Sequence, residues 1–188
     1  MKRKLLTGDL PGHRWNNVSG RNTRSILTKI LNDLTKKKDS MIYVGIDPGQ
    51  TGALAVIEGQ NIKVWDYQDG EALLYLQSLC QPEIYACLEA VHAFPKQGVT
   101  SVFNFGTNFG LWQGRLGALN IPYDLVTPTK WQAQVFDSGK KTGDRKQMAL
   151  DRARRLFPSM LHRLKRKKDD GRADALLIAE YCRRMFQK

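Results

Sequence analysis

Two hydrophobic patterns alternate from residue 41 onward. Short apolar runs bounded by turn residues are typical of strands, whereas apolar positions spaced three and four apart are typical of helices. The predicted strands cover residues 41–47, 53–58, 62–67, 84–89 and 122–126. The predicted helices cover residues 71–79, 102–120, 128–136, 145–157 and 171–186. Three successive strands followed by strand–helix alternation predict an α/β fold with a five-stranded sheet of mixed direction, flanked by helices.

The first 40 residues follow a different pattern. Glycine, proline and asparagine interrupt the first half, and one short amphipathic helix is predicted over residues 25–34. A run of three lysines then leads to the first strong strand. We therefore predict a basic N-terminal extension, residues 1–40, and a main domain, residues 41–188. The extension is either a DNA-binding arm or a segment of little consequence.

Charge is distributed unevenly along the 188 residues, whose formal net charge is +12. Residues 1–40 carry +7, residues 41–136 carry −4 and residues 137–188 carry +9. Two basic ends around an acidic middle are typical of a protein whose lysines and arginines bind a polyanion next to a site made of carboxylates. Charge alone is equally compatible with a solvated surface. No apolar run approaches the ~20 residues of a membrane span, so we expect no membrane association.

Cysteine spacing does not indicate a metal or disulfide framework. The chain has three cysteines and no CxxC or Cys/His pattern. We predict buried thiols in a reducing compartment.

Two predicted strands end in an acidic residue. Asp47 follows an apolar run and precedes Pro48 and Gly49, and Glu89 closes a second apolar run. Ligand sites of open α/β sheets lie beyond the carboxyl ends of strands, and an acid against an apolar strand is costly without a partner. Asp47 also has an ordinary alternative, since Asp-Pro-Gly is a good turn sequence.

The last predicted helix supplies a second pair of acids. Asp170 and Asp174 are four residues apart, which places them on one helix face. Helix capping and solvated charge are the alternative explanation. Taken together, the four acids fit a site for two Mg²⁺ ions, which prefer oxygen ligands and catalyse phosphodiester hydrolysis in pairs about 4 Å apart.

The order of these motifs resembles the RuvC-type Holliday-junction resolvase family. The similarity lies in residues 43–49 and 51–55, in residues 88–91, and in residues 170–176. The basic run at residues 164–168 before the last motif is most similar to the plant-organelle and phage-like branch. The resemblance spans residues 41–186. It implies a ribonuclease H-like fold, a homodimer, and metal-dependent cleavage of two symmetry-related strands at a four-way junction.

The resemblance also implies roles for individual residues. It assigns the catalytic metal ligands to Asp47, Glu89, Asp170 and Asp174. The bacterial family usually spaces its last two acids by three residues, whereas Asp170 and Asp174 are four apart, and in the organelle branch the position matching Asp170 can be His. Asp169 is therefore a rival to Asp170. The family's stacking Phe is replaced by His92, with Phe94 two residues on, and either could stack on bases. His92 could instead contact phosphate or be an ordinary polar loop residue. Family lysines that contact DNA match Lys130 and Lys146.

Two further features follow from residue chemistry. A glycine-flanked basic loop before a helix suits phosphate, with a solvated loop as the alternative; it contains Lys140, Lys141, Arg145 and Lys146. Gly106, Gly110 and Gly114 recur along one helix face, with Gly117 nearby. Glycine costs about 1 kcal/mol in a helix, so close approach of the sheet or of a twin helix in a dimer is expected.

These observations predict a crossover junction endodeoxyribonuclease, an enzyme that resolves four-way DNA junctions by paired hydrolysis. Two Mg²⁺ ions per site are expected, with Mn²⁺ as a substitute and no small-molecule cofactor. Lys146 is expected to steady the substrate phosphate or developing charge. The alternatives are a nuclease for other branched DNA or RNA, and a non-catalytic junction-binding protein. We expect the cytoplasm of a bacterium or phage-infected cell, and an organelle less so.

Overall fold

The strands of the computed structural model form one five-stranded sheet in the order β3-β2-β1-β4-β5. Strands β1, β2 and β3 pair antiparallel, whereas β4 pairs parallel to β1 and to β5. This arrangement confirms the predicted five-stranded sheet of mixed direction. The strands are β1 (Ile42–Asp47), β2 (Ala53–Glu58), β3 (Asn61–Asp66), β4 (Ile84–Glu89) and β5 (Tyr123–Val126).

Five α-helices flank the sheet within the described residues, which are 41–67, 70–79, 83–90, 98–136 and 144–187. They are α1 (Gly70–Ser78), α2 (Val99–Ala118), α3 (Pro128–Val135), α4 (Arg145–Leu156) and α5 (Asp170–Phe186). Each agrees with a predicted helix to within three residues at either end. Two short 3₁₀ helices, Pro158–Arg163 and Lys167–Asp169, were not predicted, because they lack a long apolar periodicity.

The sheet separates two hydrophobic cores. Helices α1 and α2 cover one face, where they pack on residues such as Val44, Ile46 and Leu88. Helices α3, α4 and α5 cover the opposite face, where they pack on Tyr43 and Cys87. Because side chains alternate along a strand, the odd-numbered residues of β1 and β4 point toward α5.

A glycine allows α5 to lie directly against the middle of the sheet. A Cβ atom at Gly45 would overlap the carbonyl oxygen of Ala175 and the amide nitrogen of Ala179. At the start of the same helix, a Cβ atom at Gly171 would overlap the carbonyl oxygen of Thr51. These two close approaches fix the position of α5 against β1 and the turn that follows it.

The glycine face of α2 is not covered by the sheet. The core-facing side of the helix buries Trp112 and Leu116. Cβ atoms built on the four glycines would meet no described atom within 4 Å outside the local helix backbone; these are Gly106, Gly110, Gly114 and Gly117. Of the two predicted reasons for this glycine repeat, close packing on the sheet is therefore wrong.

The described residues belong to one unit, Asp39–Lys188. The predicted extension at residues 1–40 lies outside the described residues, so the domain boundary at residue 41 remains a prediction. None of the described helices has the length and apolar character needed to cross a membrane. Cys87 and Cys182 are buried free thiols, and Cys80 lies outside the described residues.

Candidate active site

The pairing of β1 with β4 brings two acids together at one edge of the sheet. The strands are parallel, with Ile46 opposite Leu88, so the next residues, Asp47 and Glu89, end neighbouring strands. Both follow the alternation that points toward α5. The side chain of Asp47 also accepts a hydrogen bond from the backbone N–H of Gly49, at 2.9 Å. The turn role and the site role of Asp47 therefore coexist.

Helix α5 brings the second pair of acids to the same edge. Asp170 begins the helix and Asp174 follows one turn later. The carboxylate of Asp174 lies close enough to Asp47, Glu89 and Asp170 for their charges to raise its pKa. The close contact of α5 with β1 at Gly45 accounts for this proximity. The four predicted acids are thus brought together.

Burial and mutual repulsion raise the pKa values of three of these carboxyl groups, those of Asp47, Glu89 and Asp174. Burial is the largest cause for Asp47, whose pKa rises to about 6, and for Glu89, whose pKa rises to about 7. Burial also raises the pKa of Asp174 well above its ordinary value. The nearby charge of Asp47 adds to the shifts of Glu89 and Asp174. Such a cluster of acids favours binding of a cation.

A lysine from a neighbouring helix partly balances this charge. Lys146 is the second residue of α4, and its Nζ lies 2.6 Å from Oδ2 of Asp170. This hydrogen bond raises the pKa of Lys146, and its charge also acts on Asp47 and Asp174. The side chain of Lys146 remains 65% exposed, so the ammonium group can meet a substrate at the edge of the site.

Asp169 has partners of its own. Its carboxylate accepts hydrogen bonds from the backbone N–H and the guanidinium of Arg166, and Arg172 lies 3.5 Å away. Although burial opposes it, pairing with Arg166 leaves the pKa of Asp169 below its ordinary value. Arg172 also binds Asp66 at the end of β3. These contacts favour Asp170 over Asp169 as the fourth acid of the site.

A tryptophan that the sequence did not single out contacts the site. The indole Nε1–H of Trp131 donates to Oε1 of Glu89 at 2.8 Å. Trp131 lies on α3, 42 residues away in the chain. No pattern in the sequence links the two positions, because the contact depends on where α3 packs after β5.

The remaining predicted DNA-binding residues fall into two groups. Lys130 on α3 and Arg145 at the start of α4 are exposed. Arg145 lines a cavity of about 100 Å³ with Lys146 and Asp174, so it lies beside the acids. Four other predicted residues lie outside the described part of the chain: His92, Phe94, Lys140 and Lys141.

The donor set suits a hard divalent cation. Its side chains offer carboxylate oxygens, which Mg²⁺ and Mn²⁺ prefer, and a bound cation would offset the repulsion that helps to raise the pKa values of Asp47, Glu89 and Asp174. Among the described residues, no group of three or more His, Cys, Asp or Glu side chains is placed so as to hold a metal ion. The chemistry of the acids fits a metal ion, but their placement among the described residues does not form a ligand set, so the ligand set stays a prediction.

Comparison with known proteins agrees with the motifs. No family model matches the chain. Over 99 residues, or 53% of its length, the chain is 31% identical to the chloroplastic Holliday junction resolvase MOC1 of Chlamydomonas reinhardtii. It spans only 11% of that relative's length.

Two solved structures of RuvC from Thermus thermophilus, one in complex with a Holliday junction substrate, match with 18% identity and a TM-score of 0.48. They cover 77% of this chain, and 96% and 97% of their own chains. The curated relative confirms the resemblance to junction resolvases of the plant-organelle branch that the motifs predict.

Proposed function

We propose that this protein is a divalent-metal-dependent, structure-selective endonuclease that resolves four-way DNA junctions by paired phosphodiester hydrolysis. The observation that carries the proposal is the meeting of four acids and a lysine at the carboxyl edge of β1 and β4. The similarity to a chloroplastic Holliday junction resolvase supports the choice of substrate.

The proposed ligands of two Mg²⁺ ions are Asp47, Glu89, Asp170 and Asp174. When bound, such ions stabilise the charge that develops on the attacking and leaving oxygens of a phosphodiester. The charge of Asp47 acts on Glu89 at the end of β4 and on Asp174 of α5. We therefore propose that Asp47 would help to hold both ions.

Lys146 has a separate proposed role. Its ammonium group is held by Asp170 and stays exposed, so it can donate to a phosphate oxygen beside the acids. Arg145 precedes it at the start of α4, where backbone N–H groups and the helix dipole also favour an anion. Lys130 is exposed on α3, one residue before the Trp131 that contacts Glu89. These contacts would orient the scissile phosphate toward the acids.

Paired cleavage requires two active sites, and we propose a homodimer through α2. The face of α2 that carries its four glycines also carries Val99 and Phe103, which are 86% and 71% exposed. Each glycine lowers helix stability by about 1 kcal/mol, so the repeat is explained if another backbone packs closely there. A second copy of α2 across a two-fold axis meets that requirement.

The cellular location also belongs to the proposal. The relative with matching sequence is chloroplastic, which favours an organelle over the predicted bacterial or phage-infected cytoplasm. Basic residues at both ends of the chain would bind junction arms in either compartment.

Neutral replacements of two acids test the proposed chemistry. Asp47→Asn and Glu89→Gln keep an oxygen that can accept the hydrogen bonds from Gly49 and Trp131, but they remove the charge. We expect cleavage of a four-way junction in Mg²⁺ to fall more than about a hundredfold, with junction affinity retained, because the charges act on the metal and transition state.

Glu58→Gln is the matched control. Glu58 also ends a strand, β2, but it lies at the opposite edge of the sheet, where it pairs in register with Ile42. We expect wild-type cleavage from this variant. Robust cleavage by Asp47→Asn or Glu89→Gln would overturn the assignment of the active site.

A further inference from the structure

Two tryptophans on opposite faces of the sheet are equally buried but differ in their polar contacts. Trp131 and Trp112 are each 1% exposed. The indole N–H of Trp131 donates to Glu89, whereas that of Trp112 has no hydrogen-bond partner among the described residues. Burial alone therefore does not require the contact that Trp131 makes.

The fold fixes the position of the Trp131 indole. Strand β5 runs parallel to β4, with Glu89 opposite Val126, and the backbone N–H of Ala90 donates to Val126 at 2.8 Å. A single residue, Thr127, then separates β5 from α3, and its hydroxyl caps the helix by accepting from the backbone N–H of Lys130. The first turn of α3 is thereby held beside the end of β4, with Trp131 over Glu89.

We propose that Trp131 is a positioning residue that orients the carboxylate of Glu89. An indole N–H is a donor with no acceptor capacity, so it occupies one oxygen, Oε1, and cannot itself ligate a cation. The other oxygen, Oε2, is left for the metal or substrate. Groups that hydrogen-bond to a ligating carboxylate commonly set ligand geometry, and their loss weakens metal binding about 10- to 100-fold. The inference rests on the proposed function, since it takes Glu89 as a ligand.

Indole N–H resonances test this contact in the wild-type protein. We expect the Trp131 resonance in a ¹H–¹⁵N spectrum to move when Mg²⁺ is added. A cation at the Glu89 carboxylate would change the electronic environment of the indole N–H that donates to it. We expect the Trp112 resonance to stay in place, since it lies in the other core. A Trp131 resonance that is indifferent both to Mg²⁺ and to Glu89→Gln would overturn the proposal. This measurement keeps Trp131 in place, so it does not depend on whether a variant of Trp131 folds.

Mn²⁺ binding to two phenylalanine variants provides the second test. Trp131→Phe removes the N–H while keeping an aromatic ring beside Phe136, whose ring centroid lies 6.0 Å away. Trp112→Phe removes a similar volume and an unpartnered N–H from the opposite core. We expect Trp131→Phe to weaken Mn²⁺ binding, followed by electron paramagnetic resonance, at least about tenfold. We expect Trp112→Phe to bind as the wild type does.

Failure of this inference differs from failure of the proposed function. If the wild type binds Mn²⁺ and cleaves junctions but Trp131→Phe binds equally well, only the positioning role is wrong. If the wild type binds no divalent cation, both are wrong.

Discussion

At the scale of single residues, the site brings together negative charges that are unfavourable unless a cation binds among them. Asp47, Glu89 and Asp174 are buried near one another, and burial is the largest cause of the rise in each pKa. Only Lys146 among the described residues pairs directly with an acid of the cluster, Asp170. The cluster therefore lowers the stability of the metal-free protein at neutral pH in exchange for metal affinity.

This electrostatic cost predicts how stability depends on pH. The pKa values of Asp47 and Glu89 are raised from 3.8 and 4.5 to about 6 and about 7. Between these values the unfolded chain releases its protons first, so rising pH favours unfolding. The stability that the protonated carboxyl groups contribute is fully present below the pKa values of the unfolded chain. It is lost as pH rises through the higher pKa values of the folded protein.

Neutral variants should therefore stabilise the metal-free protein above about pH 7. For Asp47→Asn, the rise in pKa from 3.8 to about 6 corresponds to a gain of at most about 3 kcal/mol in the free energy of unfolding. This gain should vanish at about pH 4. Urea unfolding in EDTA at the two pH values measures the difference, with Glu58→Gln as the control. A stability difference between Asp47→Asn and wild type that does not change with pH would contradict the electrostatic account.

At the scale of secondary structure, the sequence predicts the strands and helices well, and the side-chain contacts between them less well. Strand β2 and the acids at the ends of β1 and β4 can be predicted from the sequence, because each strand is a short apolar run. The contact between Trp131 and Glu89 is not readable, since it requires the parallel register of β4 and β5. The pairing of Asp169 with Arg166 and Arg172 likewise depends on the conformation of the turn before α5.

Helix α2 shows the same division. Its existence and glycine repeat were predicted, but the sequence could not decide between the sheet and a second helix as the partner of that repeat. The structure turns Trp112 toward the sheet and leaves the glycine face without close contacts from the described residues. The proposed dimer follows from this orientation, which periodicity alone does not define.

A bulky charge on the glycine face tests the proposed dimer. Gly110→Arg should shift the protein from dimer to monomer at micromolar concentration, because the side chain prevents close approach of a second helix. Asn104→Arg is the matched control, since Asn104 is exposed on α2 but lies off the glycine face. Sedimentation velocity measures both. A wild-type monomer, or a Gly110→Arg variant that remains as dimeric as the control, would contradict this interface.

At the scale of the whole molecule, the parts of the chain have complementary charges. The mildly acidic middle segment contributes Asp47 and Glu89, and the basic C-terminal segment contributes Lys146 together with Asp170 and Asp174. The sheet thus joins acids that suit cations to a region that suits phosphates. A dimer would present two such sites to a substrate with two symmetry-related strands.

Cleavage of a labelled four-way junction by the purified protein tests the central claim most directly. With Mg²⁺ we expect paired, symmetric nicks in opposing strands, and with EDTA we expect junction binding without cleavage. Y-forks, linear duplex and RNA–DNA duplex serve as matched substrates, and we expect them to be cut poorly. Tight junction binding without cleavage in either Mg²⁺ or Mn²⁺ would contradict the enzymatic claim, and cleavage confined to forks or duplexes would contradict the proposed substrate.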